Sequence, residues 1–224
     1  MNEDIFGLLK PLQENQSRFD FWSKVLIDNK YTVVAEVGVW KGEFAEVMLG
    51  ACTQLESYYM IDPWRSLSDW NKPFNVSDGE FRDVYAEAMS RTEFASRKLT
   101  IYREETISAV KKIEDKSLDF VYVDGDHTLR GITIDLISML PKVKIGGLLA
   151  GDDFTHSPWQ HSVDYEPTLI FPYAVYFAEA MGLPLYAFGK NQFAIHNRSD
   201  LGFSFNDLTS SYLKPNLCSL YERV

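Results

Sequence analysis

The chain is 224 residues long, 46% hydrophobic and 14% aromatic, with a formal net charge of −10 at pH 7. That length and apolar content suit one large domain, with a core sheet of roughly six or seven strands covered by helices. The acidic balance argues against nucleic acid and against an anionic membrane surface as partners, because both need clustered Lys and Arg.

In chain order, residues 1–30 read as helical, with Trp22, Val25 and Leu26 at helical spacing. Tyr31 to Val37 is rich in β-branched residues and reads as the first buried strand. Gly38 to Gly42 is a turn, and Glu43 to Cys52 a helix. A second strand, Ser57 to Ile61, ends in Asp62-Pro63-Trp64. Residues 65–78 have loop composition with aromatic content, and Glu80 to Lys98 is a long helix capped by Asp78. Leu99 to Arg103 is a third strand, Ile107 to Ile113 a helix, and Leu118 to Val123 a fourth strand.

The next helix carries Leu129, Ile132, Leu136 and Leu140 on one face and stops at Pro141. Residues 144–147 then turn the chain into a strand over 148–150. Pro172 to Met181 is helical, and Leu185 to Phe188 with Gln192 to His196 form a terminal antiparallel pair. Residues 201–224 carry no clear pattern; their aromatics Phe203, Phe205, Tyr212 and Tyr221 suit packing on the core or on a partner subunit, which leaves self-association open. Alternating strands and helices imply a doubly wound α/β sheet that binds ligands at the carboxyl ends of its strands. The expected organisation is an N-terminal helical segment over 1–30 acting as lid or substrate-side cap, a main domain over 31–200, and a tail over 201–224.

No stretch reaches about 18 apolar residues, so no transmembrane helix is expected. The N-terminus lacks the basic-then-apolar pattern of a signal peptide, and Cys52 and Cys218 form no disulfide framework. A cytoplasmic location is the expectation.

The turn after the first strand reads Glu36-Val-Gly38-Val-Trp-Lys-Gly42. Its glycines permit close backbone approach to a ligand, although a plain positive-φ turn needs them too. The spacing is neither a dinucleotide fingerprint nor a P-loop, so the ligand should not depend on a pyrophosphate. Asp62 stands where an acidic side chain accepts hydrogen bonds from ribose hydroxyls; a turn role before Pro63 is the alternative. Trp64 is a candidate for packing on an adenine ring, or else a lid or core-edge residue. Among Glu104, Glu105 and Thr106, next along the same edge, any one could meet the adenine.

Two acidic clusters follow, Asp124-Gly-Asp126-His127 and Gly151-Asp152-Asp153, each at the end of an apolar strand. Converging carboxylates are costly unless something positive sits among them. Asp124, Asp152 and Asp153 together would suit a hard cation such as Mg²⁺, leaving Asp126 as general base. Taken singly, Asp126 could cap the helix from Thr128 and Asp153 could be a turn residue. His127 would orient Asp126 or bind substrate, or simply be a hydrogen-bonded histidine at a helix start. His156 and His161 are substrate-pocket candidates, and Arg130 reads as a solvated arginine or an anion contact.

Glu36-x-Gly38-x-x-x-Gly42, Asp62, Asp124-Gly-Asp126-His127 and Gly146-Gly-Leu-Leu-Ala-Gly-Asp-Asp153 resemble class I S-adenosylmethionine-dependent methyltransferases. The nearer likeness is to the branch of metal-dependent sugar O-methyltransferases and cephalosporin-hydroxylase-like proteins, over roughly residues 31–196. The resemblance implies a seven-stranded sheet of order 3-2-1-4-5-7-6 with the last strand antiparallel. It implies S-adenosylmethionine held by the Glu36, Gly38, Gly42 turn, Asp62 and the strand end at Asp124, with Trp64, Glu105 and Thr106 as the further candidate contacts read from their place on the same edge. It further implies Mg²⁺ on Asp124, Asp152 and Asp153, and Asp126 as the base that deprotonates a hydroxyl of a small molecule such as a sugar. A metal-independent methyltransferase and a non-catalytic cofactor-binding protein are the competing expectations.

Overall fold

The computed structural model describes residues 16–212. Cys218, Tyr221 and the start of the expected first helix lie outside the described residues. Helix α1 (Arg18–Asp28) begins at a capping box in which Ser17 and Asp20 bond each other's backbone N–H groups. Along the chain follow β1 (Val33–Val37), α2 (Glu43–Ala51), β2 (Ser57–Ile61), α3 (Asp78–Thr92), β3 (Leu99–Tyr102) and the short α4 (Thr106–Ala109). Next come β4 (Leu118–Val123), α5 (Leu129–Met139), β5 (Val143–Gly151), α6 (Ile170–Met181), β6 (Pro184–Phe188), β7 (Gln192–His196) and β8 (Ser204–Asp207).

The strands form one sheet of order β3-β2-β1-β4-β5-β7-β6-β8. β1 to β5 run parallel, while β7 is antiparallel to both β5 and β6. The expected doubly wound sheet is therefore present, with one addition: β8, from the unassigned tail, pairs parallel to β6.

Side-chain alternation feeds two cores, one on each face of the sheet. On β4, Phe120 and Tyr122 join α1, α2 and α3, whereas Val121 and Val123 join α5 and α6. α1 contributes Phe21, Trp22, Val25 and Leu26 to the first core. The Trp22 ring meets Phe120, Tyr122 and Phe188, and each large apolar side chain so buried contributes roughly 2 kcal/mol. Among the described residues no helix is long and apolar enough to cross a membrane.

Several element ends differ from expectation for identifiable reasons. Ser77, not Asp78, caps α3, because Ser77 and Glu80 form a second capping box and Asp78 accepts from the Ser66 N–H instead. α3 ends at Thr92; a 3₁₀ segment with non-helical backbone at Ala95 carries the chain to Lys98. Residues 144–147 are strand rather than turn, since β5 absorbs its two glycines as an irregularity between the pairs Leu118–Val143 and Phe120–Leu148.

Candidate active site

The carboxyl ends of β3, β2, β1, β4 and β5 lie side by side in that order, and one cavity of about 480 Å³ runs along them. Glu104, Glu105 and Thr106 line it beyond β3, Asp62 beyond β2, and Gly38 beyond β1. Asp124, Asp126 and His127 line it beyond β4, and Asp152 and Asp153 beyond β5.

Gly38 has φ +83°, and a Cβ there would stand 2.2 Å from the Asp124 carbonyl oxygen. Only glycine lets the ends of β1 and β4 approach so closely. The Asp62 carboxylate shapes the same turn. Its Oδ2 accepts from the N–H groups of Val39 and Trp40, both at 3.0 Å, and Oδ1 from that of Trp64 at 2.7 Å. The turn role weighed for Asp62 is thus formed, while the residue still lines the cavity. Glu36 also lines it, buried, and accepts from the Tyr58 hydroxyl at 2.7 Å. Burial holds the Glu36 carboxyl well above its ordinary range, outweighing that hydrogen bond.

Trp64 requires a correction. Its side chain is 2% exposed, packs edge-on to Tyr85 in the core and donates to the Trp40 carbonyl at 2.8 Å. It does not line the cavity and offers no face to an adenine. Gly42 has φ +79° at the start of α2 and does not line the cavity either. Glu105 pairs with Arg65 at 2.6 Å, and Thr106 opens α4 and hydrogen-bonds buried Asp135. Burial pushes the Asp135 carboxyl up to about 7.

At the other end the four expected acids converge, and the protein's own cations stand among them. Arg18 Nη1 lies 3.2 Å from Asp124 Oδ2 and also contacts Asp152 Oδ2. His127 Nδ1 lies 2.6 Å from Asp153 Oδ2, and Nε2 lies 3.5 Å from Asp124 Oδ1, an ion-pair distance rather than a good hydrogen bond. Burial opposes charge on His127, but these two carboxylates outweigh it and raise its pKa to about 10. The Asp153 carboxyl, despite burial, is held down to about 2 by His127. Buried Lys72 donates to the Glu166 carbonyl at 2.7 Å, and burial lowers its pKa although Asp126, Glu166 and Asp153 favour its charge.

Asp152 Oδ1 accepts from Gln192 Nε2 at 2.6 Å and from the Asp153 N–H at 2.7 Å. Asp126 Oδ1 accepts from Trp70 Nε1 and from the Thr128 N–H, both at 3.0 Å. Thr128, not Asp126, is the cap of α5. A Cβ on Gly131 would fall 2.2 Å from Asp126 Cγ, so the first turn of α5 leaves room for that carboxylate only because it is glycine.

The expected metal set of Asp124, Asp152 and Asp153 does not fit an ion in this arrangement. Two of the three are bonded to Arg18, and Asp152 is also tied to Gln192. The nearest alternative set takes one atom each from Asp124, His127 and Asp153, all within 4.8 Å of one another, but it includes an imidazolium. Converging acids therefore do not by themselves require a metal, because Arg18 and His127 supply the positive charge.

His161 lines the cavity, whereas His156 does not and instead stacks on Tyr212 at 4.4 Å. Arg18, Trp70, Lys72, Asp135 and Gln192 were not legible as site residues. Arg18 left a sequence trace as a charge one helical turn before Trp22 on the apolar stripe of α1, and Trp70 as an aromatic of the loop over 65–78.

A family model described as a methyltransferase domain matches residues 35–154. No curated protein matches the sequence significantly. Among solved structures, a protein assigned as a caffeoyl-CoA O-methyltransferase from Staphylococcus aureus superposes with TM-score 0.62 at 12% identity, covering 83% of this chain and 86% of that one. A methyltransferase of Podospora anserina bound to S-adenosylhomocysteine gives 0.56 at 12% identity, with 82% and 79% covered. An O-methyltransferase from Bacillus cereus, also in complex with S-adenosylhomocysteine, gives 0.55 at 11% identity, with 83% and 84% covered. At these identities the likeness to solved structures is one of fold.

Proposed function

Because the chain belongs to the methyltransferase-domain family, we propose that it transfers the methyl group of S-adenosylmethionine to a hydroxyl of a small molecule. The observation that carries this reading is that one cavity joins the Gly38 turn and Asp62 to Asp126. The cofactor would lie along the ends of β1 to β3, with its methyl directed at the acids beyond β4 and β5. Bound S-adenosylmethionine would supply the methyl group to the acceptor oxygen and would leave as the neutral thioether S-adenosylhomocysteine, while the chain's own residues orient the acceptor and take its proton. The hydroxyl proton goes to Asp126, whose Oδ1 is fixed by Trp70 and the Thr128 N–H. His127 is a charge partner rather than the base, because an imidazolium has no lone pair to accept a proton. Trp70, which donates to Asp126, lines the cavity together with Phe74 and Lys72, an aromatic and polar mix that favours a hydroxyl-rich acceptor such as a sugar.

Calorimetry with S-adenosylhomocysteine and methyl transfer to a panel of sugars and phenols test the reading. Absence of S-adenosylhomocysteine binding refutes it, and methylation of amines in place of hydroxyls refutes the acceptor class. Asp126→Asn should keep cofactor binding and lose about 10²–10⁴-fold in turnover.

Assistance by Mg²⁺ is the second reading, favoured by the closeness of Asp124, His127 and Asp153. Those residues would hold the ion once Arg18 withdrew and His127 gave up its proton, and the ion would acidify the acceptor hydroxyl. Loss of activity on chelation, restored by Mg²⁺, would favour it.

A further inference from the structure

We infer that Arg18 is the resident cation of the acidic site. Its guanidinium occupies oxygens of Asp124 and Asp152, two of the three acids of the expected metal set, so that the enzyme works without a divalent metal. The inference rests on the proposed methyl transfer only for its statement about activity; the cation assignment stands on contacts alone.

Arg18 Nη1 meets Asp124 Oδ2 at 3.2 Å and contacts Asp152 Oδ2 directly. These oxygens belong to the residues that directly follow the neighbouring strands β4 and β5, so one planar cation bridges the two strand ends. A guanidinium keeps its charge throughout the working pH range and presents several donors to carboxylates.

Its position is built into the fold. The Ser17–Asp20 capping box sets the first turn of α1 at Arg18. One turn later Trp22 is fully buried, and its Nε1 donates to Gln192 Oε1 at 2.8 Å. The same Gln192 donates through Nε2 to Asp152 Oδ1 at 2.6 Å. A single buried amide therefore ties the helix carrying Arg18 to the acid that Arg18 pairs with. On the far side His127 stands between Asp124 and Asp153. Arg18 thus occupies one carboxylate oxygen each of Asp124 and Asp152 from within the chain, and an ion could share those oxygens only by expelling the guanidinium.

Titration with Mn²⁺, read by the electron paramagnetic resonance signal of the free ion, tests this on the full chain. The wild type should show no binding in the micromolar range, and chelation should leave its methyl transfer unchanged. Arg18→Ala should open the site and tighten Mn²⁺ binding at least about tenfold, whereas Arg18→Lys, which keeps the charge, should not. Micromolar Mn²⁺ binding by the wild type, equal binding by wild type and R18A, or loss of wild-type activity on chelation would each overturn the inference. Should R18A not fold by circular dichroism, the wild-type titration and R18K still decide. S-adenosylhomocysteine calorimetry on the wild type reads the methyltransferase proposal separately, so its failure is distinct from failure of the cation assignment.

Discussion

His127 and Asp153 form an ion pair at the inner end of the cavity, with Nδ1 2.6 Å from Oδ2 and both side chains mostly shielded from water. The pair changes how stability depends on pH. The folded state raises His127 from 6.5 to about 10, so its contribution is fully present below pH 6.5 and is lost as pH rises through about 10. It lowers Asp153 from 3.8 to about 2, so that contribution is present above pH 3.8 and is lost as pH falls through about 2. His127→Gln should therefore cost about 3 kcal/mol near pH 6, with the difference from wild type shrinking steadily toward pH 10. Urea unfolding at a series of pH values measures it; a pH-independent difference would show that His127 is neutral in the fold.

Gln192 is a buried junction. Its Oε1 accepts from Trp22 Nε1 and from the Tyr122 hydroxyl, both at 2.8 Å, and its Nε2 donates to Asp152 Oδ1 and to the Lys190 carbonyl. Gln192→Leu would leave the Trp22 and Tyr122 donors buried without acceptors, at a cost of about 2–4 kcal/mol. It would also release Asp152 from one of its fixing bonds. A fall in Tm with parallel loss of methyl transfer is expected; unchanged Tm would mean the junction is not formed.

Asp135 shifts the opposite way to Asp153. It is 4% exposed, and burial raises its carboxyl from 3.8 to about 7 despite the hydrogen bond with Thr106. The folded state thus prefers the protonated acid, and stability is lost as pH rises from 3.8 through about 7. Asp135→Asn removes that charge in a similar shape. It should raise Tm at pH 8 and change it little at pH 4; equal shifts at both would show that the carboxylate is compensated.

The sheet was readable because its strands are apolar runs punctuated by Gly, Pro and Asp, and β8 was not because Ser204–Asp207 is a short half-polar edge strand held by β6. The acids were readable because each follows an apolar strand. Their partners were not, since Arg18 reaches Asp124 across 106 positions of sequence and Gln192 reaches Asp152 across 40. Trp64 illustrates the converse. Its place after Asp62 suggested a ligand contact, yet the turn that Asp62 organises swings the indole into the core beside Tyr85.

Gly131 gives the sharpest test of the Asp126 role without touching a titrating group. It lies in the first turn of α5, where alanine is ordinarily the better helix former by about 1 kcal/mol. Here an added Cβ would stand 2.2 Å from Asp126 Cγ and 2.4 Å from the Asp126 carbonyl oxygen, so the Asp126 segment must move. The bonds from Trp70 and the Thr128 N–H that fix Oδ1 would be lost or lengthened. Gly131→Ala should therefore lower kcat about 10²-fold, as a displacement of about 1 Å in a reacting group does, while S-adenosylhomocysteine affinity changes far less. Equal losses in affinity and turnover would place Asp126 in cofactor binding rather than in proton removal.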